Sequence, residues 1–161
     1  MVTKRRALGA ALIFGLLSLA GSVAAVTTMA GGPISEFRGV QVGPPDIACT
    51  SSTEFESMPG MTLPFRLSKR GRVVVMFQGQ FGEGDSTAGA RAGIRLTIDG
   101  VVVGSAVAVG NDHGDGLQTF GYNAFSGRLG VGDHTAQVLW HTYPDGATSC
   151  VEERSLITLQ P

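Results

Sequence analysis

Along most of this chain apolar and polar residues alternate one for one, the periodicity of strands with a single buried face, and past residue 26 no helix-period stripe develops. The clearest run covers residues 72–81, where Val73, Val75, Phe77 and Phe81 share one face and Val74, Met76, Gln78 and Gln80 the other. Leu63, Phe65 and Leu67 keep the same phase in a shorter strand over 61–67, which Ser68-Lys69-Arg70-Gly71 joins to it as a tight turn. Residues 91–98 and 101–109 flank Asp99-Gly100, a dipeptide that two-residue hairpin turns favour. Pairing centred there sets Ile98 opposite Val101, Leu96 opposite Val103, Ile94 opposite Ser105 and Ala92 opposite Val107 as one apolar face. Arg91, Arg95 and Thr97 point the other way, with Arg95 opposite Gly104.

Three more strands are predicted over 117–125, 134–142 and 149–159, the last two separated by the turn Tyr143-Pro144-Asp145-Gly146. About eight short strands with Gly-rich turns and no helix describe an all-β, antiparallel sandwich. A jelly-roll order is preferred to an immunoglobulin-like one, because Trp140 sits on a late strand where that fold's hallmark needs an early one. The segment Leu129-Gly130-Val131-Gly132-Asp133-His134-Thr135-Ala136-Gln137-Val138-Leu139-Trp140, followed by Arg154-Ser155-Leu156-Ile157, resembles the closing hairpin of small jelly-roll-like domains in secreted bacterial and phage proteins. The resemblance implies a sandwich used for display or binding, and it carries over no catalytic residue.

Residues 1–25 have the layout of a secretory signal: Lys4, Arg5 and Arg6, an uncharged Ala- and Leu-rich run, then small residues at Ser22-Val23-Ala24-Ala25. The alternative is an uncleaved anchor, since the uncharged run over 7–26 is just long enough to span a bilayer. Removal of 25 residues from the 161 leaves 136, one domain's worth, divided into a tether over 26–45, with at most a short strand around 37–42, and a sandwich over 46–161 with no remaining membrane span. It also leaves 9 basic residues against 13 acidic ones, a net charge of −4, which argues against a nucleic-acid partner. Outside the cytoplasm the only two cysteines, Cys49 and Cys150, are expected to form a disulfide joining the first and last strands.

The loop Gly110-Asn111-Asp112-His113-Gly114-Asp115-Gly116 offers hard oxygen ligands for calcium in Asn111, Asp112 and Asp115. Against an EF-hand loop it fails at the third ligand, His113, and at the twelfth, Tyr122, so a turn is the expectation and calcium the alternative. No other cofactor is suggested. Ser86 within Gly84-Asp85-Ser86 lacks a nucleophile elbow and a base at a fixed spacing, and the adjacent Glu152 and Glu153 project to opposite strand faces, so enzymatic turnover is not expected.

Arg66, Lys69, Arg70 and Arg72 make either a solvated hairpin tip or a contact for an anionic polymer. Trp140 shares parity with Ala136 and Val138 and so belongs to the core; facing outward, it would instead form a sugar-stacking platform with His141 and Tyr143. Tyr122 is a second platform candidate, and His134 is expected to make a structural hydrogen bond. The expectation is a secreted or cell-surface β-sandwich with a non-enzymatic binding or structural role, whose partner is a cell-envelope glycan or a surface protein. The rivals are a glycan-binding module using loop aromatics and a small secreted hydrolase.

Overall fold

The computed structural model describes residues 36–82, 87–110 and 117–161. The signal or anchor segment, Ser86 and the candidate calcium ligands Asn111, Asp112 and Asp115 therefore lie outside the described residues. Nine strands are present: β1 (Glu36–Val42), β2 (Ala48–Thr50), β3 (Glu56–Leu67), β4 (Val74–Phe81), β5 (Arg91–Ile98), β6 (Val101–Gly110), β7 (Gln118–Phe125), β8 (Gly132–Tyr143) and β9 (Ser149–Gln160). One sheet has the order β1-β9-β4-β7, with β2 also on β9, and the other β3-β8-β5-β6. This is a jelly roll: β5 pairs with β6, β4 with β7, β3 with β8 and β1 with β9, one long antiparallel ribbon wound into two facing sheets.

The expected faces carry the core. Val73, Val75, Phe77 and Phe81 from β4 and its approach are buried, as are Leu63, Phe65 and Leu67 on β3 and Ala92, Ile94, Leu96 and Ile98 on β5. Burial of each Val, Leu, Ile and Phe side chain among them contributes about 1.5–3 kcal/mol. Trp140 is 1% exposed beside Val138 and Ala136. An enclosed indole presents no face to a sugar ring, which corrects the platform reading of Trp140.

Three boundaries differ from the sequence-based expectation. Residues 36–42, inside the segment assigned to a tether, pair with β9 along the whole of β1, because Phe37, Val40 and Val42 find Leu159, Leu156 and Arg154 across the ladder. Cys49 and Cys150 are direct cross-strand partners with Cα atoms 4.1 Å apart and a disulfide between them, so the bond ties the second strand, not the first, to the last. In the β5–β6 hairpin Ile98–Val101 and Leu96–Val103 pair as expected, but Ile94 pairs with Val107 and Ala92 with Val109. Two extra residues bulge out of β6 where Gly104 takes a φ of 75°, a conformation that favours glycine, and Ser105 leaves the apolar face.

Candidate functional site

Two surfaces collect the chemistry-bearing side chains. The first is the outer face of β3, β8 and β5. Parity along β8 turns Gln137, Leu139, His141 and Tyr143 outward, and β5 sets Thr97, Arg95, Gly93 and Arg91 beside them in that order. The imidazole of His141 lies across Gly93, where a side-chain carbon would come within 2.1 Å of its Nε2. Phe55, just before β3, packs on the other side, with ring centroids 4.3 Å apart, and Tyr143 follows at 5.5 Å from His141. The Arg95 guanidinium stands 3.8 Å over the Phe55 ring in cation–π contact. The four side chains are each half-buried, so one flank of the row meets solvent. Above them Gln137 donates through Nε2 to Ser57 Oγ at 2.7 Å. The Nδ1 atom of His141 is buried without a hydrogen-bond partner.

The second surface is an open depression of about 370 Å³ at one end of the sandwich, lined by Arg38, Phe65, Arg66, Asp99, Asp133 and His134 among others. Arg66 Nη1 donates to both oxygens of Asp133 at 2.9 and 3.1 Å, an ion pair in open solvent. His134 is held by Asp99 Oδ2 at Nδ1, 2.7 Å away, and by the Gly130 carbonyl at Nε2, 3.1 Å away. Both partners are acceptors, so the ring satisfies both only as imidazolium. The Asp99 hydrogen bond raises the His134 pKa; burial opposes it, while the Gly130 carbonyl and the charges of Asp99 and Asp133 add to the rise. Burial pushes the Asp99 carboxyl up, but the bonds from His134 and from the Thr135 amide, with the His134 charge, bring it below its usual value. The pair pins the β5–β6 turn to the start of β8, the structural role expected of His134.

Of the sequence candidates, His141 and Tyr143 come together, joined by Phe55 and Arg95, which sequence reasoning did not single out. Phe55 precedes the strand pattern, and nothing local marks it as a stacking residue. Tyr122 stands apart from them: its hydroxyl accepts from the Ser105 amide at 2.8 Å and donates to the Ser105 carbonyl at 2.6 Å, filling the concavity over Gly104. A hydroxyl so engaged clasps β7 of one sheet to β6 of the other. His134 and His141 project from opposite faces of β8 and do not converge. Arg66 lies in the depression, and Lys69, Arg70 and Arg72 are exposed on the turn above it. Among the described residues no group of three His, Cys, Asp or Glu side chains is placed to hold a metal ion. No helix among them is long and apolar enough to cross a membrane.

No family model and no curated protein sequence matches the chain. Among solved structures it is similar to infectious bursal disease virus Gt strain, at 16% identity and a TM-score of 0.45, over 79% of this chain and 32% of that one, so that it spans about a third of the viral chain. It is also similar to a family 35 carbohydrate binding module from Clostridium thermocellum, at 12% identity and a TM-score of 0.37, over 74% of this chain and 97% of the module. A third likeness is to the CBM36-1 domain of a multidomain xylanase from the hindgut metagenome of Trinervitermes trinervoides, at 12% identity and a TM-score of 0.38, covering 75% and 96%. At such scores these likenesses say nothing about ligands, and what the surface can do is read from its own residues.

Proposed function

We propose that this chain is an exported jelly-roll protein that acts by binding, without turnover, and that its ligand is a polysaccharide of the cell envelope lying along the outer face of β3, β8 and β5. The observation that carries the reading is the row Arg95, Phe55, His141 and Tyr143, half-open to solvent on a rigid sheet. Aromatic faces bury the C–H side of a sugar ring, and polar groups placed beside them orient its hydroxyls. Gln137, Ser57 and Thr62 continue the same face as a polar ladder. A disulfide between Cys49 and Cys150 suits an oxidising compartment, which supports export.

Hydrolysis is the weaker reading. A base needs a free ring nitrogen beside a nucleophile, whereas both nitrogens of His134 are engaged by acceptors. His141 keeps an unpartnered Nδ1, but that atom is buried, and Phe55 and Tyr143 flank the ring.

Calorimetric titration with soluble cell-wall and capsular saccharides tests the proposal. At least one should bind saturably, and Phe55→Ala and Tyr143→Ala should each weaken it about tenfold, the loss of roughly 1.4 kcal/mol of aromatic contact. Indifference to every saccharide, or binding that both variants leave unchanged, removes this face from consideration.

A further inference from the structure

The charges of the described residues are sorted by end. Arg38, Arg66, Lys69, Arg70, Arg72 and Arg128 gather where β3 passes to β4 and β7 to β8, against only Glu36, Asp99 and Asp133, a surplus of three positive charges before the His134 imidazolium is counted. The other described residues hold three cations, Arg91, Arg95 and Arg154, against six carboxylates. Arg38 is bonded to Glu36 and Arg66 to Asp133, but Lys69, Arg70, Arg72 and Arg128 are exposed and have no ion-pair partner among the described residues.

Five of the seven exposed large apolar side chains among the described residues fall at the same end: Val101 and Phe125, each 69% exposed, Val131, 63% exposed, and Phe37 and Val102; Ile47 and Leu117 lie at the other. Val101 follows the β5–β6 turn, Phe125 ends β7 and Val131 precedes β8, so all three lie at the end that carries the cations. The chain also enters here. Glu36 begins β1 opposite Gln160 at this end, and residues 7–35 of the sequence contain no charged side chain. Residues 27–35, between the uncharged run and β1, reach about 30 Å at most. An uncharged run of the length of 7–26 suits a bilayer interior, and Glu36, the first described residue, ties it to the cationic end of the domain.

We propose that this end docks on an anionic phospholipid bilayer, with Lys69, Arg70, Arg72 and Arg128 on the phosphates and Val101, Phe125 and Val131 in the interfacial layer. A bilayer surface accepts both halves of this pattern, since basic residues meet its negative potential and apolar tips enter the acyl boundary. A hydrophilic polyanion would leave the apolar tips in water. The proposal concerns the end of the sandwich and is independent of the aromatic row on the sheet face.

Residues 26–161 hold every described strand and the disulfide, and the test is their co-sedimentation with vesicles of phosphatidylcholine alone or mixed with phosphatidylglycerol. Binding should require phosphatidylglycerol and weaken with added salt. Combined Arg70→Glu, Arg72→Glu and Arg128→Glu should weaken it by at least about a hundredfold, from about fivefold per cation at an anionic surface. Val101→Ser with Val131→Ser should weaken it too while leaving the thermal unfolding transition in place, since both side chains are exposed. Binding to neither vesicle overturns the proposal. So does binding of soluble polyphosphate as tight as that of vesicles with the valine variant unaffected, which would make the end a polyanion site.

Discussion

Single side chains hold this sandwich at places where the strand pattern is silent. Tyr122 places its hydroxyl on both backbone groups of Ser105, so Tyr122→Phe leaves a bulge amide and carbonyl without their partner. The cost should be about 1–2 kcal/mol, read as a lower urea midpoint with unchanged slope. His134 and Asp99 make stability depend on pH in a defined direction. The raised His134 pKa contributes stability that is complete below about 6.5, the value in the unfolded chain, and is lost as pH rises through the higher folded value. The lowered Asp99 pKa contributes above about 3.8 and is lost as pH falls through its folded value. Urea unfolding from pH 6 to 9 should therefore show the wild type losing stability relative to His134→Gln; parallel curves would mean that the imidazole is neutral in the fold. Arg154 is a third such residue. Its guanidinium is buried and donates to the carbonyls of Pro59, Asp46 and Glu152, bracing the break in β3 register near Gly60, and no sequence motif announces it.

Between elements, one register runs through most of the ribbon. Ile98 with Val101, Val74 with Phe125 and Leu67 with Gly132 all have numbers summing to 199, so the two-residue turn Asp99-Gly100 centres three successive strand pairs. Connections of equal length keep it so between β3–β8 and β4–β7. The β4–β5 connection is longer than the β6–β7 connection by two residues, and the two-residue bulge in β6 absorbs the difference. An even number preserves parity, which is why Val107 and Val109 still face inward after Ser105 is expelled. A turn dipeptide makes its own hairpin legible, whereas a bulge answers to a connection elsewhere in the ribbon and has no local signature. The disulfide also acts between elements. Cys49→Ala with Cys150→Ala releases a separation of 101 residues, worth on the order of 4 to 5 kcal/mol in the chain-entropy account. The denaturation midpoint should fall accordingly, and free thiols titrated in the exported wild type would contradict the bond.

As a whole, the molecule presents a polarised body: a cationic, apolar-tipped end where the chain enters, and a sheet face with a row of stacked rings. Alternation, turn residues and the cysteine pair determined by themselves that this would be an antiparallel sandwich with these core faces, because strand periodicity and turn torsions are written locally. They also placed Trp140 inside by parity with Ala136 and Val138. Which outward residues become neighbours was settled by the folded arrangement alone. Phe55 and Arg95 reach His141 and Tyr143 across three strands, Arg128 joins the turn of Lys69 to Arg72, and Tyr122 finds Ser105 on the opposite sheet. Those contacts depend on strand order and register, which long-range pairing sets and no short stretch of sequence encodes.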